Sequence, residues 1–287
     1  MKKKIESFEI IITIILSIWG IVIIFPFINV IALSFSTENE YLQTPYMFFP
    51  KHPTLENFRK LIGGGQILIG YRTTLLVELI SLPYCLFLTI SLAYALSRPS
   101  FPGKKFFLLF FIFTMYFYGG IVPMYLWLRQ LGLMNTIWSI ILPHGINMFY
   151  FLIIRNYIAS LPDSISESAR IDGAGEWRIL FRIILPLCKP ILATFALFYA
   201  VDRWNDWYYP MIFIRKQSIV PLQVALRNIV LVAENAMASK SEMSTGFLFS
   251  IGLKMAAVIV TIAPIMLVYP FLQKYFVKGM TIGSVKG

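Results

Sequence analysis

Charged side chains are scarce in this sequence. Only 14% of its 287 residues are Asp, Glu, Lys or Arg, whereas soluble domains carry about 25%. Apolar residues make up 58% of the chain, and its mean hydropathy is +0.73. This composition excludes an ordinary soluble domain, so we expect an integral membrane protein.

Cysteine and histidine are scarce too, with two of each in the chain. Cys85 falls in an apolar run and Cys188 beside a predicted loop, so neither a disulfide framework nor a cysteine metal site is available. We predict that both are buried small apolar residues. His52 and His144 form no catalytic or metal-binding pattern with matched carboxylates, which disfavours an intramembrane enzyme and predicts no metal site.

A phosphate-binding loop is also missing. The pattern G-x-x-x-x-G-K-[ST] cradles nucleotide phosphates and supplies a hydroxyl to magnesium. The nearest segment, Gly103-Lys104-Lys105, has neither the first glycine nor the hydroxyl. We therefore predict no cofactor on this chain, and any ATP-driven step must take place on another one.

Long apolar runs dominate what remains. A helix needs about 20 residues to cross the hydrocarbon core of a bilayer. The first run is too long for a cleaved signal peptide and has no small-residue cleavage site, so we interpret it as a retained helix. We predict an all-α polytopic protein with six transmembrane helices at 10–37, 73–97, 106–128, 131–154, 190–214 and 255–273.

The net charge of +11 is distributed by loop rather than gathered on one surface. Basic residues are denser in the loops of one side, and the positive-inside rule places that side, with both termini, in the cytoplasm. This pattern disfavours nucleic-acid binding. The expected organisation is a cytoplasmic N-terminus at 1–9, a membrane domain at 10–275 that includes a cytoplasmic loop at 160–190, and a cytoplasmic tail at 276–287.

The 160–190 loop has the pattern of two helices joined by a turn. Ser164 followed by Glu167 predicts a capping box at the start of the first helix. Gly173 and Gly175 predict its end, and the second helix is expected to begin near Glu176. A partner that grips such a hairpin could pull on the following span, but a helical hairpin in a loop is also compatible with a purely structural role.

The loop resembles the EAA motif of permease subunits in bacterial binding-protein-dependent ATP-binding-cassette importers. The likeness extends over nearly the whole chain and is closest to carbohydrate-uptake permeases of the maltose-transporter group, in the subgroup for complex oligosaccharides. Ser168 replaces a usual alanine, and Leu180 stands where phenylalanine is common. The matching segments are Glu167-Ser-Ala, Asp172-Gly-Ala, Ile183-x-Leu-Pro186, and further residues in 119–125, 131–136, 198–206, 221–223, 269–279 and 283–287.

The resemblance implies a type I importer fold in the bacterial cell membrane, with the helix at Glu167 docked in a cleft of an ATPase. The implied partners are a homologous second permease in a heterodimer, an ATPase dimer that binds ATP and Mg, an extracellular solute-binding protein, and membrane lipid. The implied solute is an oligosaccharide, and the resemblance leaves open whether it is neutral or acidic. The implied coupling residues are Ser164, Glu167, Ser168, Ala169, Asp172, Gly173, Ala174, Gly175, Leu185 and Pro186.

A polar cluster interrupts the fifth predicted span at 202–206. Ionisable groups at membrane depth are costly and are a functional hypothesis by default. We expect Arg203 to pair with Asp206, and Asp202 to share a helix face with Asp206. Such a cluster could contact a sugar or serve as a structural ion pair, and the neighbouring aromatics could equally form an interfacial belt. The candidate substrate-path residues are Tyr116, Tyr118, Tyr199, Trp204, Asn205 and Asp206.

A secondary transporter is the alternative function. Such transporters commonly show inverted repeats with broken polar helices, and no repeat is visible here. Purification distinguishes the two, because a secondary transporter works alone.

Overall fold

The computed structural model describes residues 7–238 and 251–284, and within these residues every regular element is helical. The all-α prediction is therefore confirmed for this part of the chain. Lys2, Lys3, Lys4 and Lys286, which contribute to the predicted orientation, lie outside the described residues. The helices are α1 Ser7–Ser34, α2 Glu38–Gln43, α3 Glu56–Gly63, α4 Gln66–Ser97, α5 Lys104–Tyr116, α6 Ile121–Gln130, α7 Trp138–Ile141, α8 Met148–Ala159, α9 Asp163–Ile171, α10 Glu176–Ile179, α11 Leu185–Leu187, α12 Lys189–Asn205, α13 Tyr208–Phe213, α14 Leu222–Ala238 and α15 Ile251–Ser284, with 3-10 turns at Leu142–His144 and Gln217–Ile219 and a π-helical segment at Leu180–Ile184.

Three continuous helices among the described residues are long and apolar enough to cross a membrane. They are Phe8–Ser34, Gln66–Ser97 and Ile251–Val268, which correspond to the first, second and sixth predicted spans. Two bent helix pairs raise the number to five if each pair counts as one span.

The third predicted span, 106–128, is not one straight helix. α5 ends at Tyr116, and α6 begins at Ile121 after a bend of 111°. Gly120 lies between them with φ 92° and ψ 168°, a conformation open to glycine and strained for other residues. The bend therefore comes from the backbone conformation at Gly120, which the continuous run of apolar residues does not reveal.

The fourth predicted span, 131–154, is also broken. Pro143 lies in a 3-10 turn between α7 and α8. The Asn147 side chain then caps α8, accepting hydrogen bonds from the backbone N–H groups of Phe149 and Tyr150 at 3.0 and 3.3 Å. A cap starts a helix, so α8 begins at Met148 rather than continuing from the preceding apolar run.

The fifth predicted span, 190–214, starts where expected but ends early. α12 follows the segment Glu176–Leu187 after an 86° bend and stops at Asn205. Asp206 has extended backbone, with φ −71° and ψ 111°, and the chain resumes as α13 at Tyr208. Pro210 lies in the first turn of α13, where a missing N–H costs no helical hydrogen bond.

The described residues divide into two compact units, one formed by 7–68, 225–238 and 251–264 and the other by 69–224 and 265–284. In the first unit, α1 leaves most of its apolar side chains exposed, as a lipid-facing helix does. The C-terminal end of α1 is fixed by Asn57, whose Nδ2 donates to the carbonyls of Ser34 and Ser36 at 3.0 Å each.

The second unit contains the larger core. This core joins α4, α8, the hairpin of the 160–190 loop and α12. Its most buried side chains are Ala93, Leu96, Phe151, Ile154, Ile179, Leu180, Ile184 and Cys188. The predicted burial of Cys85 and Cys188 is confirmed.

Candidate functional site

The turn of the 160–190 hairpin depends on Gly173. This residue has φ +79°, in the left-handed region that favours glycine. Its N–H donates to the Arg170 carbonyl at 3.0 Å, and the Ala174 N–H donates to the Ala169 carbonyl at 2.9 Å. These two bonds form a Schellman motif, which ends α9 and satisfies carbonyls that would otherwise be unpaired. The predicted helix, glycine turn and second helix are all present.

The predicted capping box is wrong. α9 begins at Asp163 with Pro162 in the N-cap position, and no side chain caps it. Ser164 therefore lies inside the first turn, where its carbonyl accepts the Ser168 hydroxyl at 2.8 Å. The Asp163 carboxylate lies in the first turn, where it interacts favourably with the helix dipole. α9 thus begins at Asp163, earlier in the chain than a capping box with Ser164 at the N-cap predicts.

The hairpin has a buried face and an exposed face. Ala169 is buried, and Ala174 and Leu185 are partly buried against the core. The other predicted coupling residues are exposed: Ser164, Glu167, Ser168, Asp172, Gly173, Gly175 and Pro186.

Ile171 is an exposed residue that sequence reasoning missed. Its side chain is 87% exposed at the end of α9, beside the glycine turn. The sequence signal for Ile171 was an apolar residue at a position of the polar helix α9 that does not lie on its buried face. An exposed aliphatic group at a hairpin tip is suited to a hydrophobic contact with another protein.

Glu176 ties the hairpin together and to α4. Its Oε1 accepts a hydrogen bond from Arg170 Nε at 2.8 Å, and its other carboxylate oxygen accepts one from the Tyr94 hydroxyl. The hydrogen bond from Arg170 is the larger cause, and the one from Tyr94 the second, of a pKa of Glu176 that lies below its usual range. The sequence marked Glu176 only as a helix start, because its partner Tyr94 is 82 positions away in the chain.

The hairpin leads directly into the core of its unit. Ile179, Leu180 and Ile184 are at most 2% exposed and pack in one cluster with residues of α4, α8 and α12. Close-packed interiors transmit displacement rather than absorb it. A force applied at the exposed face of α9 would therefore act on three apolar helices at once.

The polar cluster at the end of α12 is paired. Arg203 Nη1 lies 3.6 Å from Asp206 Oδ2, with the two side chains 11% and 14% exposed, which confirms the predicted ion pair. The same Nη1 donates to the Ile140 carbonyl at 3.2 Å. The expectation that Asp202 and Asp206 share a helix face is wrong, because α12 ends at Asn205. Asp202 instead accepts the Tyr150 hydroxyl at 2.9 Å.

The candidate substrate-path residues do not form one surface. Tyr199 is 2% exposed, and its hydroxyl interacts with the Thr89 hydroxyl at 2.7 Å and accepts the Asn147 N–H at 2.9 Å. Tyr199 is therefore a buried core residue in this structure. Asn205 is exposed, but its Nδ2 donates to the Val201 carbonyl of its own helix at 2.9 Å.

The remaining candidates stay accessible to different degrees. Tyr116, the last residue of α5, and Tyr118, in the bend before α6, are strongly exposed. Trp204 is partly buried and contacts the Tyr71 ring edge at 6.2 Å between centroids. Glu78 on α4 was not chosen from the sequence, yet both of its carboxylate oxygens are shielded and have no hydrogen-bond partner in the part of the chain that the structure describes. A lone carboxylate in an apolar run was the signal for it.

These features define a class: a polytopic, all-helical membrane protein with a helical hairpin packed onto its core. The chain belongs to the family described as binding-protein-dependent transport system inner membrane component, whose model matches residues 75–282. It is therefore a permease subunit of an ATP-binding-cassette importer, a transport subunit whose ATPase is a separate chain.

Similar proteins cover nearly the whole chain. Protein LplC of Bacillus subtilis is 40% identical, over 93% of this chain and 91% of its own length. The polygalacturonan/rhamnogalacturonan transport system permease protein YtcP of the same organism is 37% identical, over 95% and 96%. A crystal structure of a bacterial ABC transporter involved in the import of the acidic polysaccharide alginate contains a chain that is 29% identical, with a TM-score of 0.84 over 96% of this chain and 99% of that one.

Proposed function

We propose that this chain forms half of the membrane route for an oligosaccharide, beside a homologous second permease. An ATPase dimer and an extracellular solute-binding protein complete the complex. The geometry of the 160–190 hairpin carries this proposal, because it combines an exposed face with a core that reaches three apolar helices. The family places the ATPase on another chain, so the permease must offer it a surface to act on.

The proposed contact with the ATPase is the exposed face of α9 and its turn. Glu167 supplies charge, and Ile171 supplies an aliphatic anchor at the tip. For ATP to shift the permease between two states, the ATPase must hold this face more favourably in one of them. The Schellman turn and the Arg170–Glu176 pair keep the face in register with α10, so that the pull reaches the core.

The proposed topology has six spans with both termini in the cytoplasm. Each bent pair then counts as one span, and α7 with α8 supplies the fourth. Labelling of single-cysteine variants with a membrane-impermeant maleimide tests this proposal. Cysteine at exposed Asp172 should react only in inverted vesicles, and cysteine at exposed Lys216, in the loop after the fifth span, should react only in intact cells with the outer face accessible. Buried Cys85 and Cys188 keep the background low.

The proposed solute is a carboxylate-bearing oligosaccharide. YtcP, named for polygalacturonan and rhamnogalacturonan, is 37% identical to this chain, and the matching chain of the transporter for the acidic polysaccharide alginate is 29% identical. A permease named for arabinooligosaccharides is 28% identical, so a neutral oligosaccharide is the second candidate.

Transport by the reconstituted complex tests the function and the solute together. Proteoliposomes that contain both permeases and the ATPase should take up uronic-acid oligosaccharides when ATP and the loaded binding protein are present. Uptake without the ATPase would support a secondary transporter instead. Uptake of neutral oligosaccharides alone would leave the ATP-driven function standing and overturn the acidic assignment.

A further inference from the structure

Two cavities adjoin where α4 meets the hairpin. The first has a volume of about 460 Å³ and is lined by Tyr94, Arg98, Arg170, Glu176 and Trp177, among others. The second has a volume of about 400 Å³ and lies between α4, the π-helical segment and α12. Ser91 and Leu180 line both cavities, so the two cavities are neighbours that share part of one wall.

The first cavity is a cationic site with an unused donor group. Arg98 Nε and Nη2 are shielded from solvent and have no hydrogen-bond acceptor among the described residues. The guanidinium lies over the Tyr94 ring, 4.2 Å from its centroid. Arg170 and Glu176 form an ion pair in the same lining, and Glu176 also accepts a hydrogen bond from the Tyr94 hydroxyl, so the three charged side chains leave the cavity with one excess positive charge. Buried guanidinium donors without acceptors are costly, and an anion would satisfy them.

The second cavity is apolar. Leu86, Phe87 and Ile90 of α4 form one wall, and Leu192 and Ala196 of α12 form the other. Phe87 is 49% exposed and stacks on Trp177, with 6.5 Å between ring centroids. Such walls suit a hydrocarbon chain and offer little to a polar ligand.

We propose that the two neighbouring cavities bind one anionic phospholipid, with its phosphate at Arg98 and an acyl chain along Phe87. Basic pockets between membrane helices commonly bind anionic headgroups. A soluble phosphate or nucleotide would leave the apolar end empty. A helix of a second permease would cover the apolar end but would leave the Arg98 donors unpaired.

The position of this lipid links it to coupling. Its phosphate lies beside the Arg170–Glu176 pair that joins α9 to α10, and its chain lies against the α12 helix that the hairpin moves. An anionic lipid would therefore favour one hairpin position and regulate ATPase coupling. This regulatory role rests on the proposed function, whereas lipid binding does not.

The test is lipid binding to the purified, delipidated importer complex by native mass spectrometry. Dioleoyl phosphatidylglycerol and dioleoyl phosphatidylcholine are added in separate titrations. The wild-type complex should bind one phosphatidylglycerol molecule at this site and should not bind phosphatidylcholine in its place. Arg98→Gln removes charge-assisted donors and should weaken this binding about tenfold, whereas Arg98→Lys should keep the anionic preference.

Lys105→Gln is the matched control. Lys105 is exposed, lies near the same end of α4 and lines neither cavity, so the change removes one charge and should leave binding intact. Phe87→Ala should reduce the preference for dioleoyl over dihexanoyl phosphatidylglycerol and gives a readout if Arg98→Gln does not assemble.

Three outcomes would overturn the lipid site. They are equal binding of both headgroups by wild type, unchanged phosphatidylglycerol binding in both the Arg98→Gln and Phe87→Ala variants, and displacement of the lipid by millimolar inorganic phosphate. Because mass reports the lipid directly, failure here leaves the transport proposal untouched, and failure of transport leaves this site standing.

Discussion

Replacing Gly173 with valine should uncouple transport while leaving the protein in the membrane. Gly173 has φ +79°, and a Cβ built on it meets nothing within 4 Å. The change therefore causes no collision, and its whole effect is backbone strain. A β-branched residue held in the left-handed region costs about 2 kcal/mol, which shifts a conformational equilibrium about 30-fold.

This strain falls on the two hydrogen bonds that end α9. If valine moves to negative φ, the N–H groups of residues 173 and 174 lose the carbonyls of Arg170 and Ala169. The exposed face of α9 then loses its register with α10, whereas the apolar spans are unaffected. We expect wild-type expression and an uptake rate roughly 10- to 30-fold lower, with basal ATPase activity retained and its stimulation by loaded binding protein lost.

Two controls separate strain from bulk. Gly175 has φ −72° and also leaves open space around an added Cβ, so Gly175→Val adds the same bulk without left-handed strain and should impair transport less than Gly173→Val. Gly173→Asn should recover part of the activity, because asparagine tolerates the left-handed region. Uptake and stimulated ATPase activity are measured in proteoliposomes at matched protein content. Wild-type values for Gly173→Val would refute the reasoning.

Three further predictions concern charges. Glu167→Lys reverses an exposed charge on α9 and should weaken association with the ATPase in co-purification. Glu167→Gln only removes the charge and should weaken it less. Equal association of the two variants with the ATPase would contradict an electrostatic contact. Asp206→Ala leaves Arg203 without its carboxylate and should destabilise the complex by about 3 kcal/mol in a thermal melt, more than removal of both residues; a melt equal to wild type would contradict a structural pair. Glu176 has a lowered folded pKa, so its stabilising effect is complete above its unfolded pKa and is lost as pH falls through the lower folded value. Glu176→Gln should therefore reduce this acid sensitivity, by less than about 1 kcal/mol because the Arg170 pair is half exposed.

Local features of the fold were predictable from sequence. Gly173 followed a polar amphipathic stretch, so the turn and the positive φ were readable from residue type alone. Arg203 and Asp206 are three positions apart, and their pairing needs only helical geometry up to the end of α12. Apolar run length was sufficient for α1, α4 and α15, because each is continuous.

Features that depend on distant residues were not predictable. Tyr199 looked like a path residue because its partner Thr89 is 110 positions away. Glu176 looked like a simple helix start because Tyr94 is 82 positions away. The broken spans were hidden for a different reason: hydropathy averages over Gly120 and Asn147, each of which changes the backbone direction or starts a new helix.

Site-specific photo-crosslinking from Ile171 tests the central claim most directly. A photoreactive phenylalanine analogue is placed at Ile171 in the complete complex, and at Lys216 as an exposed control at the predicted outer side. We expect a crosslink from position 171 to the ATPase subunit, altered in yield by ATP, and none from position 216. A position-171 probe that labels only lipid or the second permease, in a complex that still transports, would contradict it.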